Sequence, residues 1–388
     1  MSFAQRLRKF RFDRPQRIAA FLLLLLLGQC YWVTRHQALT ERDYDYARCG
    51  REMWEKPSPL AGYFTSCGNI QDGTLAYRAA GLPLTLQRIF AGQSSANTPW
   101  ELRHQLSYVL LLMRLPFIFC GLGLGAALWW VTRRLFGNEG GFVALSLYCF
   151  SPEIVRACTY ANAEILATFG LFAGVYTAIG VAHAMQGPRR KWRPRIVLLT
   201  AAFGLTAAAH LSAAVLGFLF ALGFMIYLAE QRRASLIPVM MYSAMGTLLL
   251  LFASYGFRPD PFSYVLRSAD ARIWFSLEPA KHFFTALPNA GITLAAAIGV
   301  LLFLSIKRSR YFGNFAALLV ALLLLPVVTT GVQSKPWLWA LPFLLTFIGG
   351  VFADALETRQ RRIFLAATGA ILLMQAALCV LSLPHLTQ

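Results

Sequence analysis

The stretch Arg114–Pro152, RLPFIFCGLGLGAALWWVTRRLFGNEGGFVALSLYCFSP, decides the fold. Two apolar runs are separated only by TRRLFGNEGG, a short basic turn rich in glycine. A hydrocarbon layer takes ~20 consecutive apolar residues as one helix. Within it, only a helix or a closed barrel satisfies every backbone N–H and C=O. The stretch therefore reads as one helix ending near 132, a turn at the membrane surface, and a second helix from about 141 to 156.

The same alternation runs through all 388 residues, which are 57% hydrophobic and only 14% charged. Mean hydropathy is +0.54, whereas a soluble domain carries about a quarter charged residues. Working outward, helices are expected at about 18–34, 106–132, 141–156, 162–184, 195–209, 211–229, 236–256, 286–306, 311–328, 337–353 and 362–383. The fold class is an all-α polytopic integral membrane protein of about eleven helices, a single transmembrane domain over 1–388. The N-terminal MSFAQRLRKFRFDRPQR precedes a run that ends in the bulky CYWVTRHQ, with no small-residue cleavage site. It reads as a retained first helix with a cytoplasmic N-terminus.

The net charge of +19 raises the question of nucleic acid. Lys and Arg instead fall in short clusters between apolar runs, such as GPRRKWRPR, EQRR, KRSR and ETRQRR. That is the positive-inside pattern of a multi-pass inner-membrane protein, helped by attraction to anionic membrane lipids. It is not the footprint of a nucleic-acid binder. With the clusters inside, Asp13, Glu139, Glu230, Asp354 and Glu357 are cytoplasmic and the other acids fall outside. Two extracytoplasmic loops follow, 35–105 and 257–285. The first is too long for a connector, and its segment TLAYRAAGLPLTLQRIFAG suits an amphipathic helix lying on the membrane surface.

Seven cysteines divide by position. Cys30, Cys120, Cys149 and Cys379 sit in apolar runs as small hydrophobic residues, and Cys158 lies near the outer end of a helix. Cys49 and Cys67 share the first loop, where an oxidising compartment permits a disulfide between them.

That loop opens with ERDYDYARCGREMW, Glu41 to Trp54, the most acidic segment of the chain. Its Asp43-Tyr44-Asp45 has two readings. The acids are solvated residues that favour a helix N-terminus. Alternatively they form a carboxylate pair that acts as a general base or offers oxygen ligands to a divalent cation.

Taken with Arg114–Pro152, this segment resembles the GT-C superfamily of membrane glycosyltransferases. More narrowly it resembles the bacterial family-39, dolichyl-phosphate-mannose–protein mannosyltransferase-like group. Members carry an acidic pair just after the first helix, where Asp43 and Asp45 stand. They share an Arg-x-Pro start, a basic RRLFG turn and an ALxLYxFSP helix, then a second acid, which counting from Ser151-Pro152 places at Glu164. KPWLWALPFLLTFIGG is similar to the family's later Pro-rich region. The sequence departs from the pattern in having Glu at 164 where Asp is usual, Tyr44 inside the acidic pair, Lys335 in place of Arg, and no large soluble domain after the last helix.

The resemblance implies transfer of a sugar from a polyprenyl-phosphate-type lipid donor to an acceptor of undetermined identity on the extracytoplasmic face. It casts Asp43 as base, Asp45 as its partner or the alternative base, and Glu164 as a second acid that orients the acceptor. A divalent cation, Mg or Mn, would be held by Asp43, Asp45 and Glu164 if one is used. Lys335, Arg156, Arg258 and His210 are the candidates for binding the donor phosphate. Each also has a plain structural reading: Lys335 as a snorkelling helix end, Arg156 as a partner of Glu153 or Glu164, Arg258 as an anchor beside Asp260, His210 as a polar turn. Glu164 resists such a reading, because an acid opening an apolar segment needs a partner or a wet cavity. Two other classes compete: a catalytically silent relative with a binding or structural role, and a transporter of lipid-linked substrates. The transporter reading predicts charges within helix interiors and an inverted repeat, and neither is evident.

Overall fold

The computed structural model describes residues 13–38, 40–55, 73–91, 106–187, 192–229, 233–257, 273–329, 336–358 and 360–387. The chain begins with α1, Arg14–His36, and a surface pair, α2 Glu41–Glu55 and α3 Thr74–Ala91. α4, Leu106–Cys149, is two helices meeting at Gly137, whose φ of 83° lies in the left-handed region that glycine adopts without a Cβ clash. The sequence placed the second of these helices to residue 156. The backbone instead breaks after Cys149, and Ser151-Pro152 starts a separate short helix, α5 Pro152–Thr159, with proline in its first turn.

There follow α6 Glu164–Met185, α7 Arg193–Ala209, α8 Leu211–Leu228 and α9 Arg233–Ser254. A strand β1, Ile273–Phe275, precedes α10 Glu278–Thr285, α11 Ala290–Ser305 and α12 Phe312–Leu324. β2, Val327–Thr329, pairs antiparallel with β1, Ile273 opposite Thr329. This shortens the helix expected over 311–328. Pro326 disfavours helix at the residue before it, and the β-branched Val327, Val328 and Thr329 suit a strand. α13 Trp337–Leu356 and α14 Arg361–Ser382 complete the chain.

Among the described residues, eight helices are long and apolar enough to cross a membrane by length and composition. With the two arms of α4 counted separately and the shorter α7 and α12 added, the expected helices are all present. α13 is the axis of the bundle, with 94% of its apolar window buried. It crosses α4 at backbone contact: a Cβ on Gly349 would lie 2.6 Å from the Gly140 carbonyl oxygen.

Breaks in helices inside a membrane leave carbonyls and amides that lipid cannot satisfy. Two glutamines answer this. Gln29 Nε2 of α1 donates to the Cys149 carbonyl at 3.2 Å, and its Oε1 receives the Cys379 thiol. Gln375 of α14 donates to the carbonyls of Phe150 at 2.8 Å and Pro288 at 3.0 Å, and accepts from the Ile292 amide.

The α2–α3 pair packs as closely as α4 and α13. A Cβ on Gly50 would meet the Tyr77 carbonyl oxygen at 2.1 Å. The Tyr46 and Tyr77 rings stack at 4.2 Å. Thr74 Oγ1 and Arg78 Nε both donate to the Ser254 carbonyl, at 3.0 and 2.9 Å, and so fasten the pair to α9. At the pair's far edge Glu55 receives Arg51, Arg88 and Thr85. Burial pushes the Glu55 carboxyl up, but hydrogen bonds and charge from the two arginines outweigh it and hold it below its ordinary value.

Two outcomes are expected from this packing. Gly50→Leu forces the two backbones apart and lowers stability by about 1–3 kcal/mol, the usual cost of overpacking, measurable by unfolding in a denaturing-detergent titration. Because its folded pKa is depressed, Glu55 stabilises above the ordinary carboxyl pKa and stops doing so as pH falls through the folded value. Wild type should therefore exceed Glu55→Gln in thermal stability at neutral pH, and the two melting curves should converge in acid. A gap independent of pH would show that the carboxylate charge is not what holds the pair.

Candidate functional site

The site begins where α2 does. Thr40 precedes the helix, and its Oγ1 accepts the Asp43 amide at 3.1 Å. Asp43 Oδ2 in return accepts the Thr40 amide at 3.3 Å and the Thr40 hydroxyl at 2.9 Å. This reciprocal cap satisfies amides that a helix start leaves open. It fixes the Asp43 side chain against the bundle, where it is 2% exposed.

Facing it is Arg114 of α4, wholly buried, whose Nη2 donates to Asp43 Oδ2 at 2.7 Å. Arg114 Nη1 donates to Gln37 Oε1 at 2.6 Å, and Gln37 Nε2 donates on to the Leu386 carbonyl at 3.1 Å. The Arg114 guanidinium also stands 5.5 Å from the centre of the Tyr160 ring. One cation thus joins the end of α1, the start of α2, α4 and the connector between α5 and α6. Among the described residues the polar contacts of the Asp43 carboxylate all fall on Oδ2, so Oδ1 remains able to accept.

The second acid arrives from the other side. Asn162 Nδ2 donates to the carbonyls of Ala157 at 3.0 Å and Tyr160 at 3.1 Å. Its Oδ1 accepts the Ile165 amide at 3.2 Å. This knot sets the start of α6, where Glu164 is the first residue and 9% exposed. A carboxylate there also gains from the positive end of the helix dipole. Glu164 Oε2 accepts from Trp339 Nε1 at 2.6 Å. The His210 ring meets the Trp339 indole edge-on, with centroids 4.9 Å apart.

Asp43 and Glu164 line one cavity of about 290 Å³, together with Arg42, Glu153, Arg156, Tyr160 and Trp337. Arg156 is exposed and lies over the Tyr160 ring at 5.9 Å. Arg42 lies over Tyr46 at 5.6 Å. Two carboxylates, a third acid and two arginines therefore converge on one hollow at the end of the bundle.

The structure brings together Asp43, Glu164 and Arg156 of the residues singled out in the sequence, and leaves Asp45 and His210 off the cavity wall. Asp45 does not share the site: residues two apart on a helix point ~200° from each other. Its side chain is 59% exposed and pairs with Arg48 at 3.5 Å. His210 does not line the cavity but packs against Trp339, which in turn donates to Glu164. Lys335, Arg258 and Cys67 lie outside the described residues. Cys49, buried, is disulfide-bonded.

Sequence reasoning missed two members of the site. Arg114 was legible only as the start of a motif, although an arginine inside an apolar run is itself a signal. Trp339 was hidden in a WLW that reads as an interfacial belt. Among the described residues no group of three or more His, Cys, Asp or Glu is placed to hold a metal. The Arg114 guanidinium already sits against Asp43 Oδ2.

The fold is shared with solved multi-helix membrane proteins that are distant from this chain in sequence. No protein-family model matches the chain, and no curated protein sequence does. Solved structures do match. ArnT from Cupriavidus metallidurans bound to undecaprenyl phosphate matches with a TM-score of 0.61 and 14% identity, over 91% of this chain and 63% of that one. Its apo state gives 0.59 over 92% and 63%. The Archaeoglobus fulgidus oligosaccharyltransferase in its apo form gives 0.57 at 11% identity, over 98% of this chain and 56% of that one. The chain thus spans less than two thirds of each of these proteins.

The buried ion pair gives a sharp expectation. Arg114→Met leaves Asp43 as a lone buried acid and costs about 3–5 kcal/mol, whereas adding Asp43→Asn to it restores part of the loss. Unfolding titrations of the two single variants and the double variant measure the coupling. Simple additivity would show that the two groups do not support each other.

Proposed function

We propose that the chain is a membrane glycosyltransferase that moves a sugar from a polyprenyl-phosphate-type donor to an acceptor hydroxyl on the extracytoplasmic side. The observation that carries this reading is the convergence of Asp43 and Glu164, with Arg42 and Arg156, on one cavity at the end of a GT-C-type bundle. At about 290 Å³ the hollow is at the small end of ligand pockets. That suits a single sugar and its phosphate, with the lipid tail left in the membrane. The bound undecaprenyl phosphate in one matching structure supports a carrier of this class. The basic clusters at the other ends of the helices support the outward orientation of the cavity.

In this reading Asp43 Oδ1 takes the proton of the acceptor hydroxyl as its oxygen attacks the anomeric carbon. The bond from that carbon to the donor phosphate breaks, and the phosphate leaves with its electron pair. Arg156 and Arg42 stabilise the charge that develops on it. Arg114 holds Asp43 through the other oxygen, so the base does not rotate. Glu164, fixed by Trp339, orients the acceptor. Lys335 and Arg258 are further candidates for the phosphate, as the resemblance implies. The mechanism routes no step through a metal.

Replacing Asp43 by Asn removes the base and leaves the buried Arg114 without its counter-charge, so the variant loses stability and, per folded molecule, should lose about 10²–10⁴-fold in sugar transfer from a polyprenyl-phosphate-linked donor. Glu164→Gln should also impair transfer, whereas Asp45→Asn should leave the rate near wild type. Purified variants, each assayed with the radiolabelled donor below its own melting temperature and normalised to folded protein, provide the check. An Asp43→Asn protein as active as wild type would refute the assignment of the base.

A further inference from the structure

We propose that the opposite end of the bundle holds a binding site for an anionic phospholipid, separate from the carboxylate cavity. α8 starts at Leu211, beside His210 and the site just described, and runs 18 residues. At 1.5 Å per residue its far end is ~27 Å away. There α8, the end of α11 and α12 enclose a second cavity of about 690 Å³. Its walls are almost wholly apolar and aromatic, among them Phe224, Phe303, Phe312 and Phe315. Gly223 opens one wall, because a Cβ there would meet nothing within 4 Å. A lipid chain fits such a surface, and a water-filled polar ligand does not.

One charge borders the cavity, Arg310. Its Nε donates to the Phe303 carbonyl at 3.3 Å and its Nη2 to the Leu304 carbonyl. These bonds use two of the five N–H donors of a guanidinium, and their acceptors are neutral. Among the described residues no carboxylate pairs with Arg310, whereas nearby Arg308 pairs with Glu357. The exposed Lys307 adds a second cation on the same short turn, Lys307–Ser309. The structure therefore presents an apolar slot with a guanidinium at its rim that no described carboxylate pairs, the nearby Asp354 and Glu357 being held by Asn314 and Arg308. Basic pockets between membrane helices of this kind accept phosphate-bearing lipid headgroups. The three remaining N–H donors would hold the phosphate, while the acyl chain lies along Phe224 and Phe312. The net negative charge selects an anionic over a zwitterionic lipid. The inference does not depend on the glycosyltransferase reading, since the two cavities share no residue.

Native mass spectrometry of the purified full chain, titrated with phosphatidylglycerol, phosphatidylcholine or undecaprenyl phosphate, tests it. Wild type should retain phosphatidylglycerol in preference to phosphatidylcholine. Arg310→Gln should weaken phosphatidylglycerol binding about fivefold, the loss expected for one basic residue, and leave phosphatidylcholine unchanged. Gly223→Leu, whose Cβ meets no neighbour within 4 Å and whose side chain enters the slot, should weaken both. Lys281→Gln, an exposed cation outside the slot, should bind as wild type does. Equal retention of the two phospholipids by wild type overturns the proposal. So does phosphatidylglycerol binding that survives both Arg310→Gln and Gly223→Leu. Displacement of phosphatidylglycerol by undecaprenyl phosphate in a manner abolished by Gly223→Leu would reassign the slot to a carrier lipid.

Discussion

A guanidinium with no exposure to solvent cannot stand alone in a bundle of apolar helices, and the arrangement of the cavity end of this bundle follows from meeting that demand. Arg114 has its charge answered by Asp43, its second nitrogen by Gln37, and its face by the Tyr160 ring. Desolvating such a group costs several kcal/mol, and its partners must be well placed to return that. The partners come from the end of α1, the first turn of α2 and the α5–α6 connector. Holding one charge thus assembles the walls of a cavity.

The bundle follows the same logic for uncharged groups. Where α4 ends at Cys149 and Phe150, and where the chain turns before α11, carbonyls open inside apolar surroundings. Gln29 and Gln375 reach across from other helices to close them. These side chains are the cost of using broken helices, and the breaks are useful: Ser151-Pro152 ends one direction of chain and begins α5, which carries Glu153 and Arg156 to the cavity. Small residues do the complementary work. Gly140 with Gly349 and Gly50 with Gly81 let helices approach to backbone contact, the geometry that membrane helices use in place of a hydrophobic drive.

Most of the fold was legible in the sequence because its signal is long and one-dimensional. Apolar runs of membrane length, separated by basic clusters, fix the number and order of helices, and the observed helices fall at the expected places. The misplaced boundaries were local contests: Pro152 split one expected helix, and Pro326 with the β-branched residues after it shortened another. The candidate site was legible in part. Asp43, Glu164 and Arg156 sit on one cavity. Asp45 does not, since a D-x-D read as a pair becomes a divergence once the segment is helical. Arg114 and Trp339 escaped notice for the opposite reason: their importance lies in contacts of 2.7 and 2.6 Å with residues 71 and 175 positions away, which no local pattern reports.

The start of α2 has a consequence for how this chain can change over generations. A single oxygen, Oδ2 of Asp43, closes the helix cap with Thr40 and neutralises Arg114. Loss of Arg114 first strands a buried acid, and loss of Asp43 first strands a buried base and frays a helix. Positions 40, 43 and 114 therefore form one heritable unit that drifts only as a block. Folding alone holds this trio together, whatever the cavity beside it serves.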